Sequence, residues 1–448
     1  MKSADRLTML STYKKRIPLI ASVLPIASVL LLFPLLSGCG SGTSSSTTSV
    51  QTPPVTPSIS AAEPSKTEGN VSTPTPAAPT AEPDPTALQL QSLTLEEKIG
   101  QMLLVGINGT TLDAGAKRMI TEDKVGGIIL YGNNIDNLQD MVNLVNAMKK
   151  SNAANPAPLF MSVDQEGGKV SRMPTEFATI PSNAKVGLTN DVNAARTMGT
   201  LLAREVRSAG FNMNFAPVLD INSNPKNPVI GDRSFGNSAD SVVKLGIAEM
   251  KGIESERVIP VVKHFPGHGD TSVDSHLELP VVNKTRDQLA LLEWLPFQAA
   301  IKENADAVMV AHILFPKLDP DRPASLSRSI IGDLLRKEMG YKGVVITDDL
   351  TMGAIMKHFD LGQAALDSVN AGSDILLVAH EYDNEKRVRE AILQNVKNGK
   401  LKESRIDESV YRILALKHKY GLTDNSVPVP DLTVLNKDIK AWRSTIAK

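Results

Sequence analysis

The chain has 448 residues, 22% charged and 42% hydrophobic, with a formal net charge of -1. A nucleic-acid binder needs a basic excess to meet phosphates and an acidic solvating protein a large negative one, so this balance excludes both. One cysteine rules out an intrachain disulfide, and two Trp, six Tyr and ten Phe leave the core mainly aliphatic and any binding site poor in aromatic platforms.

The N-terminal forty residues do not belong to a fold. Lys2, Arg6, Lys14, Lys15 and Arg16 lead into an apolar run over 17–36 that closes on Leu36-Ser37-Gly38-Cys39. A basic region, an apolar region and small residues before a cut describe a secretory signal. The stretch resembles a bacterial lipobox, with the only cysteine at the one position where a thiol becomes a lipidated first residue. That implies removal of residues 1–38, lipid on Cys39 and an exported protein held at the outer face of the cell membrane. An ordinary signal peptide with an incidental cysteine is the plainer alternative. Over 39–85 the sequence is nearly all Ser, Thr, Pro, Ala and Gly. Such a segment buries too little apolar surface to offset its ordering entropy and predicts a disordered tether of roughly 45 residues, read as a neutral spacer.

From 86 to 422 short apolar runs alternate with amphipathic stretches. Strands are expected at 102–105, 127–130, 159–163, 213–216, 259–264, 307–311, 343–347 and 374–378, with 95–107 also readable as helix. Helices are expected at 137–149, 192–208, 241–256, 286–301, 329–337, 361–369, 385–397 and 403–420. Strands apolar on both faces, alternating with helices, indicate a parallel sheet under helical cover. Eight of them in this length predict a single α/β (β/α)₈ barrel of the TIM type. Residues 423–448, with Pro428 and Pro430, read as a C-terminal extension too short for a second domain.

In such a barrel the reactive side chains come from the C-terminal ends of the strands. Here those ends carry Asp164-Gln165-Glu166-Gly167-Gly168, Asp220, Lys263-His264, His312 and Thr347-Asp348-Asp349, with Gly231-Asp232-Arg233-Ser234-Phe235 in the loop after strand four. Period-two alternation turns only one of Asp348 and Asp349 inward; capping and loop-fixing is the structural alternative for either. An Asp nucleophile needs cations to stay ionised, and Lys263, Arg233 and Arg172 are the candidates. His264 and His268 are spaced like a helical metal pair, but Pro266, Gly267 and Gly269 break a helix there and no third ligand follows, so no metal and no cofactor are expected. In Asp274-Ser275-His276 the carboxylate can fix one imidazole tautomer and leave the other nitrogen for proton transfer; a backbone-bonded Asp beside an exposed His competes with that reading.

Together these blocks resemble glycoside hydrolase family 3, in its bacterial β-N-acetylglucosaminidase branch. The carrying residues are Val163–Gly168, Asn214–Asp220, Gly231–Phe235, Lys263–Asp270, Asp274–His276 and Thr347–Met352, with the likeness spread over 86–422. The resemblance implies a retaining mechanism with Asp348 as nucleophile and His276, paired with Asp274, as acid/base where most retaining glycosidases use a second carboxylate. It implies that Asp164, Arg172, Arg233, Lys263 and His264 hold the N-acetylglucosamine hydroxyls, on a carbohydrate substrate such as a muropeptide. Lys169 stands where an Arg is frequent. Relatives with a histidine acid/base that transfer the sugar to phosphate leave a phosphorylase open. A non-catalytic muropeptide-binding lipoprotein and a two-lobed transport component are the readings from other classes.

Overall fold

The computed structural model describes residues 84–446; the leader read over 1–38, Cys39 and nearly all of the tether read over 39–85 lie outside them. Eight parallel strands run β1 Leu103–Val105, β2 Gly127–Leu130, β3 Phe160–Val163, β4 Met213–Asn214, β5 Ile259–Phe265, β6 Ala307–Val310, β7 Val344–Thr347 and β8 Leu376–Val378. Each pairs with its sequence neighbour from β1 to β7, and β8 lies beside β1 with Leu103 opposite Leu376. The ring closes where Ile346 bridges Ile375 and the Thr347 N–H donates to the Ile375 carbonyl at 3.0 Å. This is a (β/α)₈ barrel. Every strand residue is buried, as both faces of a helix-covered parallel sheet require.

The helices start where short polar side chains can accept from free N–H groups. Asn137 caps Leu138–Asn152, Asp191 caps Val192–Ser208, Ser238 caps Ala239–Ser255 and Asp360 caps Leu361–Ala371. The segment that read as either helix or strand is both in turn. Thr94 and Glu97 form a reciprocal cap on helix Leu95–Gln101, and the chain then enters β1.

Two expectations change. The single helix expected over 286–301 is two, Arg286–Ala290 and Leu295–Lys302, because Pro296 cannot donate to an earlier carbonyl and instead opens the second helix. The stretch expected as an ordinary helix over 329–337 winds with wider π turns from Ser329 to Glu338. The C-terminal extension, in turn, contains helix Thr433–Ile446. Leu435, Ile439, Trp442 and Ile446 bury one face of it, and the Trp442 indole donates to the Ala194 carbonyl at 3.2 Å. That spacing of four, three and four residues is a helical stripe legible in the sequence.

Candidate active site

The C-terminal strand ends surround a cavity of about 180 Å³, small beside the ~300–1,000 Å³ of common ligand pockets. Its lining includes Tyr131, Asp164, Glu166, Arg172, Arg233, Lys263, His264, His276, Asp348, Asp349 and His380. All of the expected substrate-holding residues, and Asp348 and His276 besides, therefore share one space. Asp274 stands behind it, bonded to His276.

On one side of the cavity lies an ion cluster. Asp164 follows β3, and the turn after it brings Glu166 inward through Gly167 and Gly168, whose φ values of 85° and 59° suit glycine. Glu166 accepts both Nε and Nη2 of Arg233 at 2.8 Å and takes Lys263 Nζ at 2.7 Å. Lys263 Nζ also reaches Asp164 Oδ1 at 2.5 Å. Burial alone would raise the Glu166 carboxyl, but Arg233 and Lys263 hold it well below the usual carboxylate range. Lys263 is likewise raised overall: burial works against its charge, and Asp164 and Glu166 outweigh that. Arg172 is different. Among the described residues it makes no ion pair, and its buried Nε has no partner, so it is the cation of this wall left for a ligand.

His264 Nδ1 meets Asp220 Oδ2 at 2.6 Å, and the same carboxylate accepts the His268 N–H at 2.6 Å. His268 Nδ1 and Nε2 meet the Thr271 and Ser275 hydroxyls at 2.8 and 3.2 Å, and burial with His264 nearby pushes its ring down to about 4. The two rings cross edge to face at 75° with their nitrogens directed to different partners. Among the described residues no group of three His, Cys, Asp or Glu is placed to hold a metal ion.

At the mouth His276 Nδ1 sits 2.7 Å from Asp274 Oδ1, which also accepts the His276 N–H at 2.9 Å. Nε2 makes no hydrogen bond to a described residue, and the side chain is 66% exposed. Burial raises the Asp274 carboxyl, but its bonds from His276 leave it lowered overall. Opposite, Asp348 is half-buried and accepts the Asp349 N–H at 2.9 Å. Burial raises its carboxyl too, yet His312, His264, His276 and the Asp349 N–H leave it below the usual range. Asp349 is tied elsewhere: Thr351 donates its hydroxyl at 2.7 Å and its N–H at 2.9 Å, and Ala379 its N–H at 3.1 Å. A carboxylate kept ionised and an imidazole with one free nitrogen, lining the same cavity, can support nucleophilic attack coupled to proton transfer.

A model of the glycosyl hydrolase family 3 N-terminal domain matches residues 94–416. The chain belongs to glycoside hydrolase family 3. It is 36% identical over 363 residues to β-hexosaminidase A of Pseudoalteromonas piscicida, across 75% of this chain but 60% of that relative's length. Among solved structures it resembles a family 3 β-N-acetylglucosaminidase from Paenibacillus sp. str. FPU-7, with a TM-score of 0.74 and 42% identity over 78% of this chain and 68% of the other. It also resembles the β-N-acetylhexosaminidase of Beutenbergia cavernae DSM 12333, with a TM-score of 0.68 and 29% identity over 74% of this chain and 99% of that one.

In this family 3 barrel, of the three cations expected beside Asp348, Lys263 and Arg233 are ion-paired to Asp164 and Glu166, and the largest influences lowering the Asp348 carboxyl are imidazoles and a backbone N–H. His312 sits behind it with both nitrogens engaged, Nε2 donating to the Asp349 carbonyl at 2.9 Å and Nδ1 accepting the Ser325 hydroxyl at 2.6 Å. Two polar lining residues lie outside the expected set. Tyr131 and His380 stack with ring centroids 5.4 Å apart. Tyr131 directly follows β2 and His380 stands two residues beyond β8, so the strand-end rule that found Asp164 and Asp348 covers them as well.

Proposed function

We propose that this chain is a retaining exo-β-N-acetylglucosaminidase acting on terminal β-linked N-acetylglucosamine, with peptidoglycan fragments as its source. The observation that carries the reading is that Asp348 and the Asp274–His276 pair open onto the one small cavity that Asp164, Arg172, Arg233, Lys263 and His264 line or brace. Asp348 attacks C1 as the C1–O bond breaks, and protonated His276 gives its Nε2 proton to the departing oxygen. Neutral His276 then takes a proton from water, the water oxygen bonds to C1, and Asp348 leaves. Asp274 holds Nδ1, so that Nε2 faces the reaction. Arg172 and Asp164 meet sugar hydroxyls through charge-assisted hydrogen bonds. The names of the β-hexosaminidase relatives support the choice of an N-acetylhexosamine over glucose.

The test compares turnover of a chromogenic β-N-acetylglucosaminide with the matching β-glucoside, with and without phosphate, and maps the label left by a slow 5-fluoro N-acetylglucosaminyl substrate. Preference for the first sugar, a free reducing sugar product and label on Asp348 are expected. Label on Asp349, or none in an active enzyme, defeats the double displacement; a sugar phosphate product replaces hydrolysis by phosphorolysis. We further propose, from Leu36-Ser37-Gly38-Cys39 after the apolar run, that the mature chain begins at lipidated Cys39 outside the membrane. Intact mass of the membrane fraction reports it, and an unmodified Cys39 overturns it.

A further inference from the structure

Residues 276–278 reach beyond their own turn, by hydrogen bond or ion pair, to one described segment only. The Gly353 N–H donates to the His276 carbonyl at 3.2 Å, and next to it the Ala354 N–H donates to the Ser275 carbonyl at 3.1 Å. Lys357 Nζ donates to the Leu277 carbonyl at 2.6 Å. Glu278 pairs with His358 Nε2 and, at 3.5 Å, with Lys357 Nζ. That segment begins five residues after Asp348. It is itself anchored, through the Leu350 N–H on the Leu377 carbonyl at 3.0 Å and the Met352 N–H on the Asp349 carbonyl at 2.9 Å.

Gly353 shows how close the two backbones come. A Cβ there would lie 2.7 Å from the His276 carbonyl oxygen and 2.8 Å from that of Leu277, with no positive φ to require glycine. The glycine is there for room. Glu278, Lys357 and His358 are all exposed, and exposed ion pairs add little to folding stability. A clasp of this kind acts on geometry, where a displacement near 1 Å costs ~10²-fold in rate.

We propose that Gly353 and the Glu278–Lys357–His358 clasp are positioning elements that hold His276 against the nucleophile segment, so that proton donor and Asp348 address the same glycosidic bond. The inference rests on the roles proposed above for His276 and Asp348. It predicts a loss confined to substrates whose leaving group must be protonated.

The experiment measures kcat/KM, which reports steps through glycosylation, for a dinitrophenyl β-N-acetylglucosaminide and for an N-acetylglucosamine-terminated disaccharide. The enzymes are the full chain and its Glu278→Ala, Glu278→Gln, Gly353→Ala and His276→Ala variants. Glu278→Ala, at unchanged Tm, and Gly353→Ala, whose Cβ must displace backbone and so lowers Tm, are expected to lose ~10-fold or more on the disaccharide and no more than about two-fold on the activated substrate. Glu278→Gln, which keeps an acceptor oxygen for Lys357 and His358, is expected to recover most of the disaccharide rate. Equal losses on both substrates, or none on either, overturn the clasp. If His276→Ala discriminates between the substrates and the clasp variants do not, the clasp alone fails. If His276→Ala treats both alike, the acid/base reading fails and takes the clasp with it.

Discussion

At the N-terminal end of the strands, just before β8, Asp374 is fully buried among Arg336, Arg405 and Arg412. It also accepts the Ser409 hydroxyl at 2.8 Å and the Val345 N–H at 3.0 Å. At the opposite end Glu166 is buried between Arg233 and Lys263. In both clusters burial pushes the carboxyl up and the surrounding cations pull it further down. The difference lies in what is left over. Asp374 spends its oxygens on groups that staple helix Glu403–Tyr420 and the Ser329–Glu338 turn to the barrel floor. Around Glu166 the same pairing leaves Arg172 without an ion pair among the described residues and Asp164 half-buried, lining a cavity. A buried ion cluster becomes a binding site when its bonding capacity is unfilled on a side that solvent and ligand reach. Burial and charge alone do not distinguish the two.

Glu166→Gln is expected to have the larger effect on activity. It leaves Arg233 buried without its bidentate partner and Lys263 with Asp164 only, so kcat/KM is expected to fall ~10²-fold and stability by roughly 3 kcal/mol. Steady-state kinetics and denaturant titration read both, and an unaltered KM and kcat would mean that Glu166 does not organise the site. Asp374→Asn sharpens the contrast from below. Stability is expected to drop by about 3–5 kcal/mol as three guanidinium groups lose their shared carboxylate, while kcat/KM of the folded enzyme at 25 °C stays at the parent value. A comparable loss of activity would couple the floor to the mouth and undo the distinction.

The smallest effect concerns the support under the upper cluster. Gln165 accepts the Arg172 N–H at 2.7 Å and donates to Glu205 at 2.7 Å. Burial raises Glu205 from 4.5 to about 8, and Glu249, whose oxygens have no described partner, is raised as well. Between 4.5 and 8 the native state keeps on Glu205 a proton that the unfolded chain releases, so stability falls as pH rises through that window, by at most ~1.4 kcal/mol per pH unit from this group. Glu205→Gln keeps the hydrogen bond and removes the titration. Its Tm, measured from pH 5 to pH 8, is expected to decline less than that of the parent; parallel curves would show that Glu205 is ionised in the fold.

The barrel was legible because its signals are local. Apolar runs of four or five residues marked the strands, and the helices at 192–208 and 403–420 came out at their observed limits. The dyad was legible for the same reason, since a residue two positions away can reach an imidazole whatever the rest of the fold does. Pro296 was a local signal passed over, and so was the Leu435, Ile439, Trp442, Ile446 stripe. Tyr131 and His380 carry no charge pattern of their own, but they too follow strand ends, and the positional rule is indifferent to charge.

Composition, periodicity and strand-end position together predicted, before any coordinates, a (β/α)₈ barrel with Asp348 and Lys263-His264 at its mouth, while the place of His276 there was what the resemblance to family 3 implied. They could not determine the pairing of charges. Glu166 meets Arg233 across 67 residues of chain and Asp164 meets Lys263 across 99, and nothing in the intervening sequence says which carboxylate takes which cation. That choice is made when the barrel closes, because low-dielectric burial forces each charge onto whichever partner the strand register brings within hydrogen-bond distance. Only then do Lys263 and Arg233 become structural partners of Glu166, Arg172 the cation without an ion pair among the described residues, and imidazoles the neighbours of Asp348.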